Sequence, residues 1–177
     1  MSRSNVEIKA RVADPAGVRA RVEGLATERV GLDRQVDTYF ATKQGRLKLR
    51  ESSLSGAQLI PYLRPDAEGP RRSDYAVVPI DDPERVKALF AELLGVHRVV
   101  RKEREIWLVG NVRIHLDRVE ELGHFLELEA VFDLEEGADV EAAEHRKLRE
   151  LMAMLGVGPD DLIATSYEAL LEAPAPE

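Results

Sequence analysis

The sequence predicts an α+β fold in which an antiparallel sheet of eight strands has one face covered by helices. The main observation is the strict alternation of basic residues and leucines over residues 46–50, because successive side chains of a strand point to opposite faces. Four further segments, 5–12, 100–104, 113–117 and 127–129, carry alternating charge as well. Two Asp-Pro pairs precede apolar residues at helical spacing, which is typical of the start of a helix.

Eight strands and three main helices follow one another, and the strands are mostly joined by short turns. The strands are expected at 5–12, 35–40, 46–51, 58–64, 73–80, 97–109, 112–119 and 124–134. The helices are expected at 14–25, 82–95 and about 140–155, with short helical pieces from 159 and at 167–171. Pro61 lies inside the fourth strand and predicts a bulge or an edge position, because proline cannot donate a ladder hydrogen bond.

Length and composition indicate one domain spanning 1–177, with a core at about 5–171 and a frayed tail at 173–177. The chain has no cysteine, which excludes disulfides and thiolate metal sites. It also has no apolar run long enough to span a membrane and no signal-like start, so we expect a cytoplasmic protein without a membrane partner. A net charge of −8 argues against nucleic-acid binding. The oligomeric state is left open, with a homodimer among the alternatives.

The basic stripe on the third predicted strand needs a physical reason. Arg46, Lys48 and Arg50 share one face at steps of about 6.6 Å, where like charges repel one another. A bound polyanion would offset this repulsion, whereas a solvated sheet face explains the same pattern without any ligand. Glu127 and Glu129 alternate in the same manner, and an exposed strand face is the simpler explanation of that pair by itself.

Several segments, taken in order, resemble the CYTH superfamily, also called the triphosphate tunnel metalloenzymes, and most closely its class IV adenylate cyclase type. The segments are Asn5-Val6-Glu7-Ile8-Lys9, Asp37-Thr38-Tyr39-Phe40, residues 45–51, 62–66, 73–75 and 113–117, then 123–129 and 166–171. The resemblance covers nearly the whole chain. It departs at Asn5, where the family's opening motif has a glutamate.

The resemblance implies that the sheet closes into an eight-stranded antiparallel barrel, a triphosphate tunnel, with the helices packed outside. It implies a cationic lining that binds substrate, made of Lys9, Arg11, Arg46, Lys48, Arg50, Arg64, Lys102, Arg104 and Arg113. Within this lining, Lys9, Arg50 and Arg104 are the expected catalytic residues. The expected metal ligands are Glu7, Asp117, Glu127 and Glu129, and hard carboxylate oxygens of this kind select Mg²⁺ or Mn²⁺.

Three functions remain open on the sequence. The first is conversion of ATP to cyclic AMP and pyrophosphate, as the class IV adenylate cyclase type implies. The second is hydrolysis of thiamine triphosphate, a nucleoside triphosphate or inorganic tripolyphosphate. The third is a non-catalytic module that binds nucleotide or polyphosphate, to which Asn5 gives some weight because an amide oxygen brings no charge to a metal site.

Overall fold

The structure is a computed structural model that describes residues 3–63, 71–133 and 138–172. Its strands are β1 (Arg3–Arg11), β2 (Glu28–Phe40), β3 (Arg46–Ser52), β4 (Gly56–Leu63), β5 (Arg71–Tyr75), β6 (Val78–Ile80), β7 (Val96–Val109), β8 (Val112–Val119) and β9 (Gly123–Asp133). Its helices are α1 (Pro15–Leu25), α2 (Pro83–Leu94), α3 (Ala138–Met154) and α4 (Tyr167–Glu172), with a 3-10 turn at Pro159–Asp161. The predicted combination of an antiparallel sheet with helices outside it is confirmed.

The strands hydrogen-bond in the order β3-β2-β7-β8-β9-β1-β5-β4-β6, and every pairing is antiparallel. An additional pairing of β3 with β4 joins two distant members of this order. Eight strands therefore return on themselves as a ring, and β6 is a short ninth strand beside β4. A ring of this kind gives every strand an inner face and an outer face.

One predicted strand, 73–80, is divided in the structure into β5 and β6. The physical reason lies in Pro61 on the neighbouring strand β4. The backbone carbonyl of Pro61 accepts a 3.1 Å hydrogen bond from the amide of Ala76, which lies between β5 and β6. The backbone nitrogen of Pro61 faces the same side of β4. Proline offers no N–H to continue the ladder there. The pairing of β4 with β3 runs through Pro61 without a shift, so the expected bulge in β4 does not form.

The outer face of β1, β8 and β9 carries the main apolar core. Side chains such as Ile8, Ile114 and Leu128 are almost completely buried there against α1 and α3, which contribute Val22 and Leu148. Burying a side chain of this size stabilises a fold by about 1.5–3 kcal/mol. This core fixes which face of each strand looks outward and so forces the alternating charged residues onto the inner face.

The caps of the first two helices agree with the sequence. The Asp14 carboxylate accepts a hydrogen bond from the amide of Gly17 at 3.0 Å, and the Asp82 carboxylate accepts one from Arg85 at 3.1 Å. Each aspartate is followed by a proline, whose missing N–H costs nothing in the first turn. Helix α2 lies against β2, with the rings of Phe40 and Phe90 5.4 Å apart.

A second apolar cluster lies near one end of the ring. It joins Tyr39, Val100, Val119 and Phe125 of the strands to Tyr167 of α4. Within the described ranges, no helix combines the length and the apolar character that crossing a membrane requires.

Candidate triphosphate-binding site

The strand register places the charged residues on the inner face of the ring. Direct cross-strand partners are Lys9 and Glu127 between β1 and β9, and Arg104 and Asp117 between β7 and β8. Residues in direct register point to the same face of a sheet. The alternate positions of β1, including Ile8, lie in the outer core. The inner face is therefore the charged one, as the alternation predicts.

Asp37 on β2 is the centre of the first ion-pair cluster on this face. Arg50 donates two hydrogen bonds of 2.7 Å to its two carboxylate oxygens, and Lys48 donates one of 3.0 Å. The Lys102 ammonium lies 3.9 Å from the same carboxylate. Burial disfavours the charged carboxylate, yet the charges of Arg50 and Lys48 hold the pKa of Asp37 well below its usual value.

Arg104 on β7 is the centre of the second cluster. It donates two hydrogen bonds of 2.7 Å to Asp117 and one of 3.1 Å to Glu127; Arg104 and Asp117 are buried, and Glu127 is largely buried. Glu127 also lies 3.6 Å from the Lys9 ammonium and 3.1 Å from Nδ1 of His115. Burial opposes ionisation of both carboxyl groups, but Arg104 holds the pKa of Asp117 and of Glu127 below the usual values.

The two ion-pair clusters around Asp37 and Arg104 together hold five cations and three carboxylates. The cations are Lys9, Lys48, Arg50, Lys102 and Arg104, and the carboxylates are Asp37, Asp117 and Glu127. The pKa values of two lysines reflect this excess of positive charge. Burial, followed by the nearby Arg50 charge, lowers the pKa of Lys48 to about 8, and burial together with Arg104 holds the pKa of Lys102 well below its usual value. The site thus favours an additional negative charge.

Two side chains of α4 enter this region, and the sequence did not assign either of them to the site. The Tyr167 hydroxyl donates a 2.8 Å hydrogen bond to Asp117. Glu168 accepts a 2.8 Å hydrogen bond from Nε of Arg46, and burial raises the pKa of Glu168 although Arg46 opposes the shift. The sequence predicted a short helical piece at 167–171, and only the similarity of residues 166–171 to the family pattern connected this piece with the site.

Asp33 is a further buried carboxylate that the sequence missed. It accepts hydrogen bonds from the hydroxyls of Ser52 and Ser53 and from the side-chain amide of Gln35. These bonds lower its pKa against the opposing effect of burial. Asp33 lies on the part of β2 that precedes the predicted start of that strand at 35, so its alternation with Gln35 and Asp37 was not seen. It holds the turn after β3 in place.

The remaining predicted cations are less central. Arg11 is exposed, donating to the Leu122 carbonyl at 3.3 Å and lying over the Phe125 ring. Arg113 is about half exposed, with a side-chain exposure of 48%, and lies 3.5 Å from Glu129. Arg64 lies outside the described residues. The structure therefore brings Lys9, Lys48, Arg50, Lys102 and Arg104 together and leaves Arg11 and Arg113 outside the buried network.

The predicted metal ligands fall into two pairs with different surroundings. Both oxygens of Asp117 are occupied by Arg104 and Tyr167, and Glu127 faces three cationic or histidine side chains. Glu7 and Glu129, in contrast, are direct cross-strand partners. Among the residues that the structure describes, no group of three or more acidic, histidine or cysteine side chains is arranged to hold a metal ion.

Asn5 provides the observation that tests whether this region fits a cation. Its Nδ2 donates a 2.6 Å hydrogen bond to Glu129, while its Oδ1 is buried and has no hydrogen-bond partner among the described residues. A buried acceptor without a donor is costly, and a hard cation would satisfy it. Glu7, Glu129 and the Asn5 amide oxygen therefore fit Mg²⁺ or Mn²⁺ by their chemistry, whereas Asp117 is already committed to its protein partners.

Comparison with known proteins places these features in a family. The CYTH domain profile matches residues 3–167. This chain belongs to the CYTH family. The resemblance predicted from its motifs is thereby confirmed over nearly its full length.

Two relatives are similar across most of both chains. A protein of Methanocaldococcus jannaschii, provisionally named an adenylate cyclase, is 28% identical over 173 residues, covering 92% of this chain and 95% of the relative. The adenylate cyclase CyaB of Aeromonas hydrophila is 27% identical over 179 residues, covering 96% of this chain and 90% of that protein.

Solved structures support the fold. The PH1012 protein of Pyrococcus horikoshii OT3 superposes with a TM-score of 0.78 at 25% identity, covering 94% of this chain and 98% of that one. A Hippeastrum protein, provisionally assigned as an adenylyl cyclase and described as having a dominant triphosphatase activity, superposes with a TM-score of 0.61. It is 16% identical and covers 97% of this chain and 95% of its own, so it bears on the fold alone.

Proposed function

We propose that this CYTH protein is a metal-dependent enzyme that binds a triphosphate inside the barrel and converts ATP to cyclic AMP and pyrophosphate. The observation that carries the proposal is the convergence of five cationic side chains, three buried and two largely buried, in two clusters that contain only three carboxylates. Such an excess of buried charge is unfavourable in the free protein and becomes favourable once phosphate oxygens supply the missing negative charge. The names of the two relatives support the cyclase chemistry.

Arg50 and Arg104 are the proposed phosphate clamps. Each guanidinium already forms a two-bond fork with a carboxylate, which is the geometry that suits two oxygens of a phosphate. Asp37 and Asp117 thus hold the guanidinium groups in the orientation that a triphosphate needs. Lys9 completes the proposed catalytic set as a point charge between Glu127 and the ring of Tyr167.

In the cyclisation, the ribose 3′-hydroxyl oxygen gives up its proton to water and attacks the α-phosphorus, while the bond from that phosphorus to the pyrophosphate oxygen breaks. Charge builds up on the leaving pyrophosphate, and the cations of the inner face stabilise it where it develops. A divalent cation held by Glu7, Glu129 and Asn5 would supply charge neutralisation at the phosphate oxygens. We place Glu127 and Asp117 beside Arg104 as the groups that orient this clamp.

Hydrolysis of the triphosphate is the second candidate, since the same cations would serve a water that attacks the terminal phosphorus. The fold by itself does not select between the two reactions, because the Hippeastrum protein of this fold is described as having a dominant triphosphatase activity despite a cyclase assignment. The two reactions share the clamp and differ in the nucleophile, so the products distinguish them.

The test is a substrate panel of ATP, GTP, thiamine triphosphate and tripolyphosphate, each with Mg²⁺ or Mn²⁺, in which cyclic nucleotide, pyrophosphate and orthophosphate are separated by chromatography. We expect cyclic AMP and pyrophosphate in equal amounts from ATP. Arg50→Gln is the disabling variant, and Arg118→Gln is the matched control, because Arg118 is exposed and donates its hydrogen bonds to Glu103. Orthophosphate without cyclic nucleotide would establish hydrolysis instead, and failure to bind any triphosphate would refute both reactions.

A further inference from the structure

The start of α4 is anchored at the edge of the barrel next to the proposed clamp. Leu162 forms an isolated bridge with Ala10 of β1, and the amide of Ile163 donates a 2.9 Å hydrogen bond to the Lys9 carbonyl. The Ser166 carbonyl then accepts from the amide of Leu170 at 3.1 Å, within the first turn of the helix. These contacts fix the backbone of Tyr167 relative to the strand that carries Lys9.

The Tyr167 side chain, which is 4% exposed, touches several groups of the inner face at once. Its hydroxyl donates to Asp117 at 2.8 Å. The ammonium of Lys9 lies 4.0 Å from the centre of its ring, and that of Lys102 lies 5.2 Å from it. The ring of Phe125 also packs edge-on against the ring of Tyr167, with 4.9 Å between the ring centres.

We propose that Tyr167 is a positioning residue of the triphosphate site, whose ring holds Lys9 and Lys102 and whose hydroxyl fixes the Asp117–Arg104 pair. This inference rests on the function proposed above. An aromatic face attracts an ammonium group but carries no net charge, so it orients the two lysines without using up their charge. A carboxylate in the same place would compete with the incoming phosphate oxygens.

The hydroxyl has a separate role through Asp117. Two bonds join Asp117 to Arg104, and the bond from Tyr167 adds a third that fixes the plane of the carboxylate. Burial and the neighbouring Asp117 charge hold the pKa of Tyr167 well above its usual value, so the hydroxyl keeps the proton that it donates. Loss of this bond alone would leave the fork intact but let it tilt, and small misplacements of a clamp reduce turnover more than binding.

Two variants separate the roles of the ring and the hydroxyl. Tyr167→Phe keeps the ring, and Tyr167→Leu removes both parts. Leu170→Ala is the matched control, because Leu170 packs in the same α4 cluster and lies outside the charged network. The dissociation constant for tripolyphosphate is measured by calorimetry with EDTA present, kcat and KM are measured with the substrate that the wild type turns over, and melting temperatures are recorded for all proteins.

We expect Tyr167→Leu to weaken tripolyphosphate binding at least tenfold. Tyr167→Phe should keep the dissociation constant within about threefold of wild type while kcat falls about tenfold. Leu170→Ala should lower the melting temperature without changing binding or kcat. If Tyr167→Leu does not fold, a fall of kcat in Tyr167→Phe at an unchanged melting temperature supports the positioning role, and an unchanged kcat refutes it.

The inference is overturned if Tyr167→Leu binds tripolyphosphate as tightly as wild type, or if Tyr167→Phe retains the full kcat. It is also overturned if both variants have a lower melting temperature but unchanged binding and kcat, as we expect for Leu170→Ala, since a purely structural role would have that result. A wild-type protein that binds no tripolyphosphate would refute the proposed function itself, which is a different outcome from a binding wild type with unaffected variants.

Discussion

Replacing Lys48 with methionine tests whether the inner face is poised for an anion. Lys48 is largely buried beside Asp37 and near Arg50, and its pKa is lowered from 10.5 to about 8. At neutral pH the charged lysine therefore opposes folding by about 3 kcal/mol. Because the folded-state pKa lies below the unfolded one, this penalty disappears as the pH rises from about 8 to above 10.5.

The same shift sets the size of the effect on binding. A triphosphate supplies negative charge and should raise the pKa of Lys48 back toward its ordinary value. With a pKa of about 8 in the free protein, the protonated fraction falls about tenfold between pH 7 and pH 9. Wild-type affinity should therefore weaken about tenfold over this range through Lys48, with a further contribution from Lys102.

The assay is calorimetric titration with tripolyphosphate in EDTA, at pH 7, 8 and 9, in two buffers that differ in heat of ionisation. At pH 8 the wild type should take up about half a proton through Lys48 when it binds. Lys48→Met should bind tripolyphosphate more weakly at pH 7, and its affinity should lose the part of the pH dependence that Lys48 causes. Without ligand it should unfold at a higher temperature than wild type. The titration of the ligand itself is common to both proteins. Equal pH slopes and equal proton uptake in the two proteins would refute the reasoning.

Three further changes probe the carboxylates and Asn5. Asp37→Asn should lower the free energy of unfolding by about 3–5 kcal/mol in chemical denaturation, because three cations lose their shared carboxylate. Tripolyphosphate should restore part of the lost stability. Unchanged stability would contradict the role of Asp37 as the centre of this ion-pair cluster. Glu129→Gln should reduce metal-stimulated turnover by at least tenfold with little change in melting temperature, and full activity at low metal would remove Glu129 from the metal site. Asn5→Glu should tighten Mn²⁺ binding and weaken metal-free tripolyphosphate binding, both followed by titration, and two unchanged affinities would show that Asn5 does not face the site.

The sequence was sufficient for the faces of the strands but not for the partners within them. Alternation of residues 46–50 depends only on the geometry of a single strand, and the strand register confirms that Arg50 and Lys48 share a face with Asp37. Which carboxylate each cation meets depends on the neighbouring strand, so the fork between Arg104 and Asp117 could not be read from either segment alone.

Other misses have similar non-local causes. The division of the strand at 73–80 follows from Pro61 in its neighbour, and the contact between Glu168 and Arg46 joins residues 122 positions apart. The early part of β2 was missed because the pairing register shifts between Arg29 and Gly31, which interrupts simple alternation before Asp33. Local patterns describe local geometry, and these features come from contacts across the barrel.

The joint between β4 and β5 has a consequence for how a ligand reaches the buried charges. Within the described residues, only two pairs, Tyr62 with Tyr75 and Leu63 with Asp74, join these strands, whereas β3 and β4 share seven. Among the described residues, parting the seam between β4 and β5 breaks fewer pairings than parting β4 from β3. Amide protons along this seam should exchange with deuterated solvent sooner than those between β8 and β9. Opening on this side would expose the charges of the inner face to solvent while the wall covered by α1 and α3 stays closed.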